Sequence, residues 1–240
     1  MSPETAAHGS EPGMGAEPAT AEVLAVGELA PGRLALQLRA PHLVAQLRPG
    51  HALHLLRAEA GGFRLRRVAP VTAVDPLGGA VEVGLQPRAD GGRDSLAEIR
   101  SGERVVVAGP IGQPIARLAR TTNLLIVCDA DGFAWIRLLA HAAVAEGRSV
   151  VVIHEGPSAA DLVSASLLPE RVEIAMVTGD GSLGLKGRAV DAMDAYAEWA
   201  EQVVAAGSPD LLASVLAAVR RRRPPGERAA ARATTKDLSW

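Results

Sequence analysis

The sequence predicts two units in succession: an N-terminal antiparallel β-barrel, then a doubly wound parallel-sheet α/β domain of the nucleotide-binding type. Three observations carry this. Between Ala21 and Gly112 short apolar segments alternate with polar residues and are cut by Gly and Pro turns, as half-buried antiparallel strands are. After Pro114 wholly apolar strands alternate with helical stretches, the pattern of a parallel sheet covered on both faces. From Asn123 to Glu146 an apolar strand runs through a tight turn into an amphipathic helix, the junction at which such domains hold a pyrophosphate.

Taken in order, residues 1–20 are rich in Ala, Gly, Pro and Glu without a hydrophobic period and read as a disordered leader. The barrel is expected over 21–114, from six or seven strands: Val23–Val26, Arg33–Leu38, His51–Leu56, Phe63–Val68, Val71–Val74, Val81–Leu85 and Arg104–Val107. Pro31-Gly32, Pro49-Gly50, Gly61-Gly62 and Gly78-Gly79 supply turns, and a short helix is expected over Ser95–Ile99. The α/β domain is expected over 115–223. Its strands are Leu124–Val127, Val150–Ile153, Val172–Val177 and Val203–Ala206, and its helices Phe133–Ala145, Ala160–Ser166 and Ala189–Trp199. A last helix starts at Ser208 as N-cap with Pro209 at its first position and buries Leu212, Val215, Leu216 and Val219. It ends in Arg220–Arg223, cations that suit the negative end of a helix dipole, and residues 224–240 read as a flexible tail.

Composition narrows the function. With 48% hydrophobic residues the chain can bury a substantial core, and a net charge of -2 gives no bias toward nucleic acid or anionic membrane. The one cysteine, Cys128, excludes an internal disulfide or a four-cysteine cluster from this chain. No apolar run reaches the roughly 20 residues of a membrane span, and a cytoplasmic location is the default expectation. His51 and His54, three apart on one strand, face opposite ways, and no His, Asp or Glu arrangement has metal-ligand spacing.

Several motifs carry a family resemblance. Pro49-Gly50-His51 is similar to a Pro-Gly-Gln turn, and Leu65-Arg66-Arg67 resembles the start of Leu-Arg-Arg-Pro-Ile-Ser. Gly109-Pro110-Ile111-Gly112 is similar to Gly-Pro-Leu-Gly, and Thr178-Gly179-Asp180-Gly181-Ser182-Leu183-Gly184-Leu185-Lys186-Gly187 to Thr-Asp-Asp-Gly-Ser-x-Gly-x-Lys-Gly. Over roughly Ala21–Val219 the chain resembles the ferredoxin-NADP reductase superfamily, and within it the electron-transfer subunit of dihydroorotate dehydrogenase, a pyrimidine-biosynthesis enzyme. The resemblance implies FAD on the barrel, NAD(H) at the second domain, a C-terminal [2Fe-2S] centre and a catalytic dehydrogenase subunit as partner.

The departures matter as much. Val68-Ala69-Pro70 puts Pro70 where the flavin motif has its serine, with Thr72 the nearest hydroxyl beyond it. Asp90-Gly91-Gly92-Arg93-Asp94-Ser95-Leu96 stands for Gly-x-Gly-Thr-x-x-Leu, with Arg93 replacing threonine. The expected FAD contacts are therefore Arg66, Arg67, Thr72, Gly91, Gly92 and Ser95: cations, a Gly-rich approach and hydroxyls converging on a pyrophosphate. A solvated barrel face with an ordinary loop explains the same residues without a ligand.

The glycine-rich nucleotide turn is replaced by Cys128-Asp129-Ala130-Asp131-Gly132, so Gly132 and Gly207 remain as a weak NAD site. Asp129 or Asp131 is expected to cap the helix itself, taking the donors a pyrophosphate needs and repelling its charge. NAD(H) binding is therefore doubtful. Trp135 reads as core or as a stacking surface, Cys128 as an inert buried thiol, and Ala206 stands where the family has a nicotinamide-facing cysteine. No [2Fe-2S] centre is expected. Two functions stay open: an FAD-dependent electron-transfer subunit or reductase, and a non-catalytic, cofactor-poor relative acting in assembly or regulation.

Overall fold

A computed structural model describes residues 16–30, 32–58, 64–87, 95–116 and 121–222. The first unit is a closed antiparallel barrel of β1 (Ala16–Ala30), β2 (Arg33–Arg39), β3 (Ala52–Ala58), β4 (Arg64–Asp75), β5 (Ala80–Leu85) and β6 (Arg104–Ile111), in the order β1-β2-β5-β4-β3-β6. Leu36, Leu38, Leu53, Leu55, Val71, Val81, Val83 and Val107 fill its interior, one from every second position of each strand, as the period of two requires. The helical turn α1 (Pro41–Val44) adds Leu43 to this core.

Several expected boundaries shift. The leader ends sooner than expected, because Ala16–Thr20 already pairs with β6, Thr20 lying opposite Val106. The two strands expected on either side of Pro70 are one strand, β4. Pro70 sits within it opposite Ala52 of β3, and an irregularity in the pairing with β5 follows between Val71 and Ala73. The helix expected over Ser95–Ile99 is a turn, anchored by Leu96 and Ile99 in the barrel core. The tail expected over 224–240 lies outside the described residues.

The second unit is a parallel sheet ordered β10-β9-β8-β7-β11: β7 (Asn123–Asp129), β8 (Ser149–Gly156), β9 (Glu173–Thr178), β10 (Leu185–Lys186) and β11 (Gln202–Ala206). Alternate residues of β7 serve opposite layers. Leu124, Ile126 and Cys128 pack toward α2 (Ala130–Ala145), and Leu125 and Val127 toward α3 (Ala189–Ala192) and α4 (Pro209–Arg222). Leu211 and Ala218 join Leu212 and Val215 on the buried face of α4, while Leu216 and Val219 are half-buried. The helices expected over Ala160–Ser166 and Ala189–Trp199 are short turns instead. Ala159–Asp161 and Ala165–Leu167 are 3-10, and α3 runs directly into a 3-10 turn, Met193–Tyr196.

The chain moves outward from β7 through β8, β9 and β10, then returns to β11 on β7's other side. The strand order reverses between β7 and β11. In open α/β sheets the crevice beyond the C-terminal ends of two such strands is where ligands bind. Asp129 ends β7 and Gly207-Ser208 follows β11.

Candidate functional site

At this crevice the chain's own carboxylate meets the free backbone donors. Asp129 is the N-cap of α2, and its Oδ1 accepts from Gly132 N at 2.9 Å. Its Oδ2 accepts from Ser208 N at 2.7 Å, at the start of α4. One side chain therefore ties together the ends of the two strands that flank the switch point. Gly132 and Gly207, expected as a weak nucleotide site, are both tightly packed at this junction. A Cβ on Gly207 (φ +146°) would lie 2.5 Å from Asp129 Oδ1, and one on Gly132 would lie 1.9 Å from Ala206 O. Neither position has room for a side chain.

Asp131, the second aspartate of the turn, faces the barrel. Its Oδ1 accepts from Arg33 Nη2 at 2.8 Å and its carbonyl from Gln86 Nε2 at 2.8 Å. Deeper in the seam, Glu82 Oε1 accepts from Thr72 Oγ1 at 2.6 Å and from Arg137 Nη1, while Arg137 Nε donates to Leu167 O at 3.0 Å. Thr72 is completely buried, so its hydroxyl serves this latch between barrel and α2 and is not offered to a ligand. Around the latch the contact is apolar. One apolar cluster runs from the sheet through Phe133, Trp135 and Ile136 to Ala30, Ala52, Val68, Ile111 and Ile115. Trp135 is thus core between the two units. The recess between barrel and α2, lined by Leu29, Gly84, Leu85, Phe133 and Ala134, has no room even for a water-sized molecule. It is far short of the roughly 300–1,000 Å³ of small-molecule pockets.

The β3–β4 pair of the barrel is arranged differently. Register pairs Leu55 with Arg67, Leu56 with Arg66 and Arg57 with Leu65. Arg57 and Arg67 therefore share one face of the β3–β4 pair, and Arg66 takes the other. Arg66 Nε donates to His54 Nδ1 at 3.1 Å, and Arg67 Nη2 to Gln86 O at 2.6 Å. Arg57 Nη1 donates to the carbonyl of Ser95. The Ser95 hydroxyl itself is buried and has no hydrogen-bond partner. A buried polar atom left unpaired calls for an explanation, and a ligand oxygen is one that fits. Of the residues expected at a flavin phosphate, Arg67 shares its face with Arg57, which holds the turn of Ser95, Arg66 takes the other face, and Gly91 and Gly92 lie outside the described residues. Arg57 was not foreseen, because an arginine ending a strand carries no signal of the turn it holds 38 residues on.

Other candidates resolve as structure. His154 accepts from Val163 N at Nε2 (2.9 Å), leaving Nδ1 to donate to Cys128 O at 3.2 Å. Burial holds His154 below the usual imidazole range. Burial, with Asp129 beside it, pushes the Cys128 thiol well up, so it is not a nucleophile. The Thr178–Gly187 loop satisfies itself: Thr178 Oγ1 donates to Leu183 O, and Ser182 Oγ donates to Asp180 and accepts from Ala159 N. Among the described residues no three His, Cys, Asp or Glu side chains gather as a metal site, and no helix is long and apolar enough to cross a membrane.

The ferredoxin NADP+ reductase of Neisseria gonorrhoeae, solved with FAD and NADP, superposes with a TM-score of 0.71 at 17% identity over 89% of this chain and 96% of that one. An NADH-dependent reduced ferredoxin-NADP oxidoreductase superposes at 0.70 with 21% identity, over 84% and 72%. The fold is that of the ferredoxin-NADP reductases. In sequence, this reductase-fold chain is 25% identical over 181 residues to the electron transfer subunit of dihydroorotate dehydrogenase B (NAD(+)) of Desulforamulus reducens, covering 75% of this chain and 68% of that protein. A homolog of that subunit from Thermotoga maritima is 31% identical over 88 residues, 37% of this chain and 31% of the relative. No family model matches the chain.

Proposed function

We propose that this chain is an electron-transfer subunit of the reductase fold that anchors FAD at the Ser95 end of its barrel and uses no NAD(H) of its own. The observation that carries this is a contrast between two sites. On the barrel, the buried Ser95 hydroxyl has no hydrogen-bond partner among the described residues, and the Ser95 carbonyl is held by Arg57, whose strand face also carries Arg67. At the switch point both converging donors are already taken by Asp129.

The residues fit a pyrophosphate at the first site: Arg67 supplies charge and Ser95 a directed hydroxyl, where anionic oxygens form short, strong hydrogen bonds. Bound there, FAD would supply the hydride and single-electron chemistry. The residues do not fit a nicotinamide nucleotide at the second site. Oxidised or reduced partners must then meet the flavin from outside, which suits a subunit of a larger dehydrogenase such as those its relatives are named for. With Cys128 the one cysteine and buried in the sheet, this chain provides no ligand set for a [2Fe-2S] centre.

One observation favours a second reading, a cofactor-poor shell that serves assembly. The seam beside α2 is packed, with Pro70 buried in the place of the flavin motif's serine and Thr72 bound to Glu82. The visible spectrum of the purified chain separates the two. Flavin bands at near-stoichiometric yield, native or after reconstitution, support the electron-transfer subunit. A colourless protein that takes up no FAD supports the shell.

A further inference from the structure

Among the described residues, the Arg57–Glu103 ion pair fastens the turn that carries Ser95 to the barrel, on the flavin site proposed above. Leu96 and Ile99 plug the turn into the barrel end, fully buried or nearly so. Polar bonds fix it at both ends. Arg57, from β3, donates through Nη1 to Ser95 O and through Nη2 to Glu103 Oε1 at 3.0 Å. The other oxygen of Glu103 accepts from Arg100 N at 2.7 Å, and Glu103 N donates back to Arg100 O at 3.1 Å. The guanidinium thus bridges Ser95 and the carboxylate that holds Arg100. Its planar fork suits this double duty, which a lysine ammonium performs less well.

We infer that Arg57 is a positioning residue for phosphate recognition: it holds the Ser95 carbonyl and thereby aims the unpaired Ser95 hydroxyl at the pyrophosphate, on the face it shares with Arg67. With Nη1 on Ser95 O and Nη2 on Glu103, Arg57 is held against the turn and acts through Ser95. The inference rests on FAD being the barrel's ligand, and the test separates the two claims.

Dissociation constants for FAD and for riboflavin, which has the ring but no phosphate, are measured by flavin-fluorescence quenching with wild type, Arg57→Met, Arg57→Lys and Ser95→Ala. Expected are a loss of about tenfold or more in FAD affinity for Arg57→Met, a smaller loss for Arg57→Lys, and unchanged riboflavin affinity for both. Ser95→Ala should match Arg57→Met, and the double variant should lose no more than either, since both act through one hydroxyl. Thermal melting without flavin checks folding. If Arg57→Met does not fold, Arg57→Lys carries the comparison. Equal FAD affinity in variant and wild type overturns the inference while FAD binding stands, as does an equal loss for FAD and riboflavin. Wild type that binds no FAD removes the reading beneath it, and the inference with it.

Discussion

Replacing Asp129 should have two opposite effects. In Asp129→Ala the helix loses its N-cap, at a cost of about 0.5–2 kcal/mol. Ser208 N is also left without its acceptor at the start of α4, at about 1–3 kcal/mol for a half-buried donor. Together the loss is roughly 2–4 kcal/mol, readable as a lower urea midpoint with an unchanged slope. Asp129→Asn keeps one acceptor oxygen for Gly132 N or Ser208 N but not both, and should lose about half as much. The second effect concerns anions. A carboxylate about 4 Å from a phosphate charge opposes it by roughly 4 kcal/mol at an effective dielectric near 20. Asp129→Gly should therefore raise NADH affinity by up to about a thousandfold while lowering stability. Isothermal titration of wild type and variant reads the gain. An Asp129→Ala variant as stable as wild type, with no change in NADH affinity for Asp129→Gly, would refute the idea that this carboxylate stands in the phosphate's place.

Other perturbations test the surroundings. Gly132→Ala should cost more than about 3 kcal/mol, or prevent folding, because its Cβ would meet the Ala206 carbonyl and not a flexible side chain. Gly84→Ala, whose Cβ would lie 2.8 Å from that of Ala134, should cost about 1–3 kcal/mol by urea titration, since barrel and α2 cannot part without breaking the seam. Arg137→Met should destabilise by roughly 2–4 kcal/mol by leaving Glu82 without its cation, and Arg137→Met with Glu82→Leu should recover most of that. His154 and His54 are both held below the usual imidazole range, mainly by burial, with Arg66 adding to the effect at His54. Their stability contribution is complete above the unfolded value of about 6.5 and lost as pH falls through the folded values. Melting temperature should accordingly drop below about pH 6.5, less steeply in His154→Gln.

The architecture was legible because its signals are local. The period-two alternation of Leu34, Leu36 and Leu38, the unbroken Leu124–Val127 and the Ser208-Pro209 helix start each report a residue's own surroundings. Where the reading slipped, distant contacts had overridden local pattern. Ala16–Thr20 has no hydrophobic period, yet β6 offers it an edge to pair with. Ser95–Ile99 has helical composition, but Leu96 and Ile99 are pulled into the barrel and Arg57 and Glu103 take its polar groups.

The site was half legible. That an aspartate of the turn would cap its own helix followed from residue type and spacing. Its second bond, to Ser208 N 79 residues on, did not. Thr72 looked like a substitute for the missing serine because sequence shows distance along a strand and not what faces it. Across the ladder stands Glu82, and beyond it Arg137. Arg33 and Asp131, 98 residues apart, were likewise invisible as a pair.

The most direct test of the whole account is an anaerobic visible spectrum of the FAD-reconstituted chain, recorded first with excess NADH and then with dithionite. The account predicts flavin bands that NADH leaves in place and dithionite bleaches, because the flavin is held while the nucleotide crevice is closed by Asp129. Rapid bleaching by micromolar NADH would contradict it.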